Sequence, residues 1–177
     1  MRVLVTGGVR SGKSAHAETL LANRAAVTYV APGPTPTEDS DPDWVSRIEA
    51  HRARRPESWI TLETPDLSSA LARTDGPVLV DCLGTWLTAV LDERSLWESS
   101  GEEATAIIGQ LAQEAADLLD VRGESGTVLV TNEVGLGVVP AHRSGRLFRD
   151  LLGLVNQRIA AACDEVHLVV AGRVLVL

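Results

Sequence analysis

Valine- and leucine-rich runs punctuate this chain at Val3–Thr6, Val27–Ala31, Val78–Asp81, Val128–Thr131 and Val166–Val170. Each is short and largely β-branched or leucine. Such runs predict strands buried on both faces. The last is followed by "GRVLVL", which predicts a C-terminal hairpin or edge strand. Between most of them, helical patterns predict helices over Lys13–Asn23, Pro42–Arg55, Leu67–Arg73, Trp86–Leu91, Glu102–Leu119 and Ser144–Ala162. Alternation of the two predicts an α/β fold, a mostly parallel sheet with helices on both faces. The segments Pro32–Pro42 and Asp92–Glu103 read as exposed loops. No internal repeat or domain boundary interrupts the pattern, and 177 residues suit a single domain, 1–177.

Composition narrows the partners. Apolar residues make up 45% and charged residues 23%, as in an ordinary globular protein. A net charge of -8 speaks against a general affinity for nucleic acid or anionic membrane, so any phosphate site must be local. Cys82 and Cys163 are far apart and form no metal-type pair, which predicts reduced thiols. No run reaches the ~18 apolar residues of a membrane span, and the first apolar run is too short for a signal peptide. The expected location is the cytoplasm.

The first run leads into the strongest motif. Gly7-Gly8-Val9-Arg10-Ser11-Gly12-Lys13-Ser14 fits G-x-x-x-x-G-K-[ST]. Glycines let the backbone curl so that successive N–H groups point at phosphate oxygens. Lys13 can reach the β- and γ-phosphates, and the Ser14 hydroxyl can ligate Mg²⁺. The following helix presents its N-terminal dipole to the same anion. A strand precedes the motif and an apolar-periodic helix follows it (Ala17, Leu20, Leu21), as a nucleotide-binding P-loop requires.

In an open parallel sheet, ligands sit beyond the carboxyl ends of the strands. There stand the P-loop, Ala31-Pro32-Gly33, Asp81 and Asn132-Glu133. Asp81 closes an apolar strand, the placement of a carboxylate that holds Mg²⁺; the alternative is a solvated strand end or helix cap. Glu133 is either bonded to loop amides or a catalytic or substrate-contacting acid.

The segment Ser40–Trp59 is unusual. Asp41 caps a helix with Pro42 at its first position, and Pro56 ends it. Arg47, His51 and Arg54 or Arg55 share one helical face. Like charge disfavours a protonated imidazole there, leaving His51 neutral and nucleophilic. The same arginines could neutralise an arriving phosphate. A solvated basic face with an incidental histidine is the alternative on composition alone.

"LVTGGVRSGKS", "RIEAHRARRP", "VLVDCLGTWLT", "VLVTNEVGLGVVP" and "FRDLLGLVNQRIAAACDEVHLVVAGRVLVL" together resemble the bifunctional adenosylcobinamide kinase/adenosylcobinamide-phosphate guanylyltransferase family of cobalamin biosynthesis, essentially end to end. The resemblance implies a three-layer P-loop NTPase fold of the RecA type and assembly as a homotrimer. It implies phosphorylation of adenosylcobinamide with ATP or GTP, then transfer of GMP from GTP to adenosylcobinamide phosphate through a guanylylated histidine. That histidine falls on His51. The implied nucleotide contacts fall on Gly7–Ser14, on Ala31, Pro32 and Gly33, on Arg52, Ala53, Arg54 and Arg55, and on Glu63 and Asp81. Mg²⁺ is expected near Ser14 and Asp81. Val9 and the proline-rich segment after Ala31 depart from the family's usual pattern. Two rivals are a kinase whose histidine helix is only a lid, and a nucleotide-dependent switch. Of the other histidines, His16 is expected in packing or support, His142 in solvent and His167 in a structural role. Trp44, Trp59, Trp86 and Trp97 are expected in the core or an interface.

Overall fold

The structure, a computed structural model, describes all residues, Met1–Leu177. Seven strands form one sheet in the order β3-β2-β4-β5-β1-β6-β7. They are β1 (Arg2–Gly7), β2 (Thr28–Ala31), β3 (Ile60–Glu63), β4 (Val78–Asp81), β5 (Thr127–Val130), β6 (Glu165–Val170) and β7 (Arg173–Val176). All neighbouring pairs are parallel except β6 and β7, which form a terminal antiparallel hairpin. The helices are α1 (Lys13–Leu20), α2 (Pro42–Arg54), α3 (Leu67–Arg73), α4 (Leu83–Glu93), α5 (Gly101–Arg122) and α6 (Arg143–Ala161).

Both sheet faces are covered, and the strand period of two shows how. Val3 and Val5 of β1, Leu79 of β4 and Val128 and Val130 of β5 pack with Ala17 and Leu21 from the α1 segment. Their neighbours Leu4, Val78, Val80 and Leu129 turn to the other face and join α3, α4, α5 and α6. The three-layer P-loop NTPase arrangement is the one expected.

Two expectations need correction. Ile60–Glu63 forms β3, an edge strand that the apolar pattern did not reveal. All its residues are exposed, so burial left no run of apolar residues to read. The segment Asp92–Glu103 is not simply an exposed loop. α4 runs on to Glu93, a 3₁₀ turn covers Leu96–Glu98, and α5 starts at Gly101. Leu96 is buried and Trp97 packs against the core. Arg143 of α6 also donates to the Trp97 and Ser99 carbonyl oxygens.

Candidate active site

The carboxyl ends of β1, β2, β4 and β5 lie along one edge of the sheet, as parallel pairing requires. A cleft of about 970 Å³ opens there, with α2 as its outer wall.

The P-loop forms its floor. Gly12 has φ 97°, a backbone conformation that a side chain would strain. Gly7 is needed for space: an added Cβ would stand 2.4 Å from the Val169 carbonyl oxygen and 2.7 Å from Ser11 Oγ. Val9, Arg10, Ser11, Gly12, Lys13 and Ser14 line the cleft. Lys13 Nζ donates to the Gly8 carbonyl oxygen at 3.1 Å. Burial lowers the affinity of this amine for its proton, against the opposing pull of Cys82 and Asp81.

Asp81 sits at the end of β4 with its side chain 8% exposed. Burial alone would raise its pKa, yet the carboxyl is held below its usual value by bonds from His51, Ser14 and Tyr29. The Tyr29 hydroxyl donates to Asp81 Oδ2 at 3.2 Å. His51 Nδ1 lies 3.5 Å from the same oxygen. Residues from α1, β2, α2 and β4 thus converge on one carboxylate.

α2 begins as expected: Asp41 Oδ1 accepts from the Asp43 and Trp44 amides at 2.8 and 3.2 Å, with Pro42 in the first turn. None of its residues is buried. Polar contacts hold it instead. Arg52 pairs with Glu63 of β3. Arg54 grips Glu18 of α1 with two bonds at 3.0 and 3.2 Å. Arg55, just past the helix, lies over the Tyr29 ring at 3.7 Å and donates to the His51 carbonyl oxygen and to Thr61 Oγ1. The picture of His51 set only among like-charged guanidiniums therefore changes. Its charged partner is Asp81, and Arg52 and Arg54 are paired with carboxylates distant in sequence. Arg47 has no ion-pair partner and also lines the cleft.

Of the other sequence-predicted residues, Ala31, Gly33, Arg52, Arg54, Arg55 and Glu63 line the cleft. Pro32 and Ala53 do not: Pro32 is buried beneath it and Ala53 faces solvent. Asn132 reaches the cleft, while Glu133 Oε1 accepts from the Gly135 amide at 2.6 Å, the loop-bonded alternative. Tyr29, Thr61 and Thr85 were not singled out from the sequence. A strand tyrosine and two threonines carry no motif; the β2–β4 register sets Tyr29 opposite Leu79, two residues before Asp81, and its side chain reaches on to that carboxylate. Trp44 corrects an expectation too. Trp59 and Trp86 are core residues, but Trp44 forms cleft wall, its Nε1 donating to the Pro34 carbonyl oxygen at 3.0 Å.

A glycine-rich loop opening a helix, a strand-end carboxylate and arginines around one cleft define a P-loop nucleotide-binding protein. A family model described as cobinamide kinase / cobinamide phosphate guanyltransferase matches residues 3–177. The bifunctional adenosylcobalamin biosynthesis protein CobU of Escherichia coli (strain K12) is 40% identical over 179 residues, covering 97% of each chain. CobU of Salmonella typhimurium is 39% identical over 184 residues, again 97% of each. The bifunctional adenosylcobalamin biosynthesis protein CobP of Pseudomonas aeruginosa is 38% identical over 179 residues, 97% of this chain and 94% of its own. The chain belongs to the cobinamide kinase / cobinamide phosphate guanyltransferase family.

Proposed function

We propose that this chain performs both reactions of its family within one domain spanning residues 1–177. It phosphorylates adenosylcobinamide with ATP or GTP and then transfers GMP from GTP to adenosylcobinamide phosphate through His51. The observation that carries the reading is the meeting of His51 Nδ1 and Asp81 Oδ2, 3.5 Å apart in the cleft above the P-loop.

The P-loop amides, Lys13 and the neighbouring arginines bind the triphosphate and neutralise its charge. In the kinase step they orient the γ-phosphorus toward the substrate hydroxyl. In the transferase step the imidazole is the nucleophile. Asp81 keeps a proton on Nδ1, which leaves the Nε2 lone pair free. Such contacts are often long before substrate arrives. Nε2 forms a bond to the α-phosphorus, the bond from that phosphorus to the bridging oxygen breaks, and pyrophosphate leaves with the electron pair. A terminal oxygen of the corrinoid phosphate next attacks the same phosphorus. The phosphorus–nitrogen bond breaks, the imidazole is restored, and adenosylcobinamide-GDP is released. Two successive displacements make the reaction ping-pong.

The donor set fits Mg²⁺. The Ser14 hydroxyl and the ionised Asp81 carboxylate are hard oxygen ligands, and no cluster of three or more acidic, histidine or cysteine side chains forms a protein-only cage. Mg²⁺ characteristically takes one or two such ligands and completes its shell with phosphate oxygens and water. When bound it would neutralise charge on the phosphates.

Homo-oligomeric, trimeric assembly and a cytoplasmic location belong to this reading as well. No helix is long and apolar enough to cross a membrane. β7 leaves Val174, Leu175 and Val176 exposed at a sheet edge, with Leu177 exposed just after it, which supports association between copies.

The test is covalent labelling with α-labelled GTP. Label is expected on a peptide containing His51 and absent from His51→Ala, which still phosphorylates adenosylcobinamide because γ-phosphoryl transfer does not use the imidazole. Persistent label in His51→Ala would refute the assignment.

A further inference from the structure

With no buried residue, α2 cannot be placed by apolar packing. Trp44 ties its first turns to the preceding loop, and the contacts with α1, β2 and β3 are made by its C-terminal end. Two are the ion pairs Arg52–Glu63 and Arg54–Glu18. The arginine side chains are 47% and 41% exposed, and solvent weakens such pairs.

The third contact is of another kind. The Arg55 guanidinium carbon lies 3.7 Å from the centroid of the Tyr29 ring, and Tyr29 is only 4% exposed. A cation over a desolvated ring is attracted more strongly than one at an open site. Arg55 also reaches back along the chain, its Nε donating to the His51 carbonyl oxygen at 3.1 Å. At the other end of the same tyrosine, the hydroxyl donates to Asp81 Oδ2 at 3.2 Å, the oxygen that faces His51 Nδ1.

We propose that the Tyr29 ring is the positioning element of guanylyl transfer: it anchors the His51 helix through Arg55. This rests on His51 being the nucleophile. The ring sets where the imidazole stands. γ-Phosphoryl transfer needs the P-loop but not α2's nucleophile, so the ring's effect falls on one reaction and not the other.

The experiment compares Tyr29→Leu, Tyr29→Phe, Arg55→Lys and the Leu/Lys double variant. The rate of His51 labelling by α-labelled GTP and the rate of corrinoid phosphorylation by ATP are measured on the same preparations. Loss of the stack in Tyr29→Leu should slow labelling about tenfold. Phenylalanine keeps the ring and should recover most of that rate. Arg55→Lys keeps the charge but loses the flat guanidinium, and should fall by a similar factor. The double variant should fall no further than Arg55→Lys alone, because the stack is already lost there. Both tyrosine variants lose the hydroxyl bond to Asp81, so any change in phosphorylation by ATP should be the same in the two, and only labelling should separate them. Equal labelling rates in the leucine and phenylalanine variants would overturn the proposal. So would multiplicative losses in the double variant, or a loss of phosphorylation in Tyr29→Leu that Tyr29→Phe does not share. No label at His51 in the unaltered protein would remove the nucleophile reading beneath it, and the proposal with that reading.

Discussion

His16 and His167 show what a single proton can decide. His16 Nε2 lies 2.8 Å from His167 Nδ1, and His167 Nε2 lies 2.7 Å from Glu165 Oε2. His16 belongs to the first turns of α1, just after Lys13 and Ser14, so the pair ties the P-loop helix to β6. The ring of His16 is pushed below the ordinary imidazole pKa by burial and by the neighbouring His167. A depressed folded-state value means that the unfolded chain takes up the proton first. Stability from this site is therefore complete above a pH of ~6.5 and is lost as pH falls toward the folded-state value. His16→Gln, whose amide can still donate to the His167 ring, should show a flatter stability profile in that window. Chemical denaturation at a series of pH values checks it. An unchanged slope would assign the loss to other groups. Carboxylates with lowered values, such as Asp81, act at lower pH, below the usual carboxylate range.

At the scale of elements, α2 differs from the other long helices. α5 buries Ala104, Ile108, Ala112, Ala115 and Leu119, and α6 buries Leu147, Leu151, Leu152, Val155 and Ile159. α2 buries nothing and is held by arginines. Raising salt from about 0.1 M to about 1 M shortens the Debye length from ~10 Å to ~3 Å. Amide hydrogen exchange in α2 should then quicken severalfold while α5 and α6 stay protected. Equal protection of all three helices at both salt concentrations would show that α2 is fixed by something other than charge. The same contrast explains what the sequence made legible. Buried strands and helices carry their pattern in neighbouring residues, so β4 and α3 appear with the bounds predicted, and the P-loop is a contiguous string. β3 has no buried side to pattern. The partners of the α2 arginines come from α1, β2 and β3, and Tyr29 meets Asp81 across 52 residues of chain. Such pairings follow from strand order, which no local window contains.

The whole molecule has two sheet edges, and they are not equivalent. β3 closes one edge and exposes Ile60 at 66%. It also carries Glu63, engaged by Arg52, and Thr61, engaged by Arg55, so a second copy pairing there would crowd the cleft. β7 closes the other edge and lies away from the α2 contacts; Leu175 is 57% exposed and Leu177 70%. A further apolar stretch, with Leu136 87% and Val138 95% exposed, follows Asn132 beside the cleft. An exposed apolar edge strand is a template for association. The proposed assembly is therefore expected to use β7. A charge placed there should oppose it without touching the P-loop. Leu175→Lys should reduce the molar mass found by light scattering to that of one chain, while GTP still protects the protein against thermal unfolding. If the mass stays high in Leu175→Lys and falls in Leu136→Lys, the interface lies on the loop after β5. Copies would then meet beside the cleft, and association and corrinoid entry would be coupled.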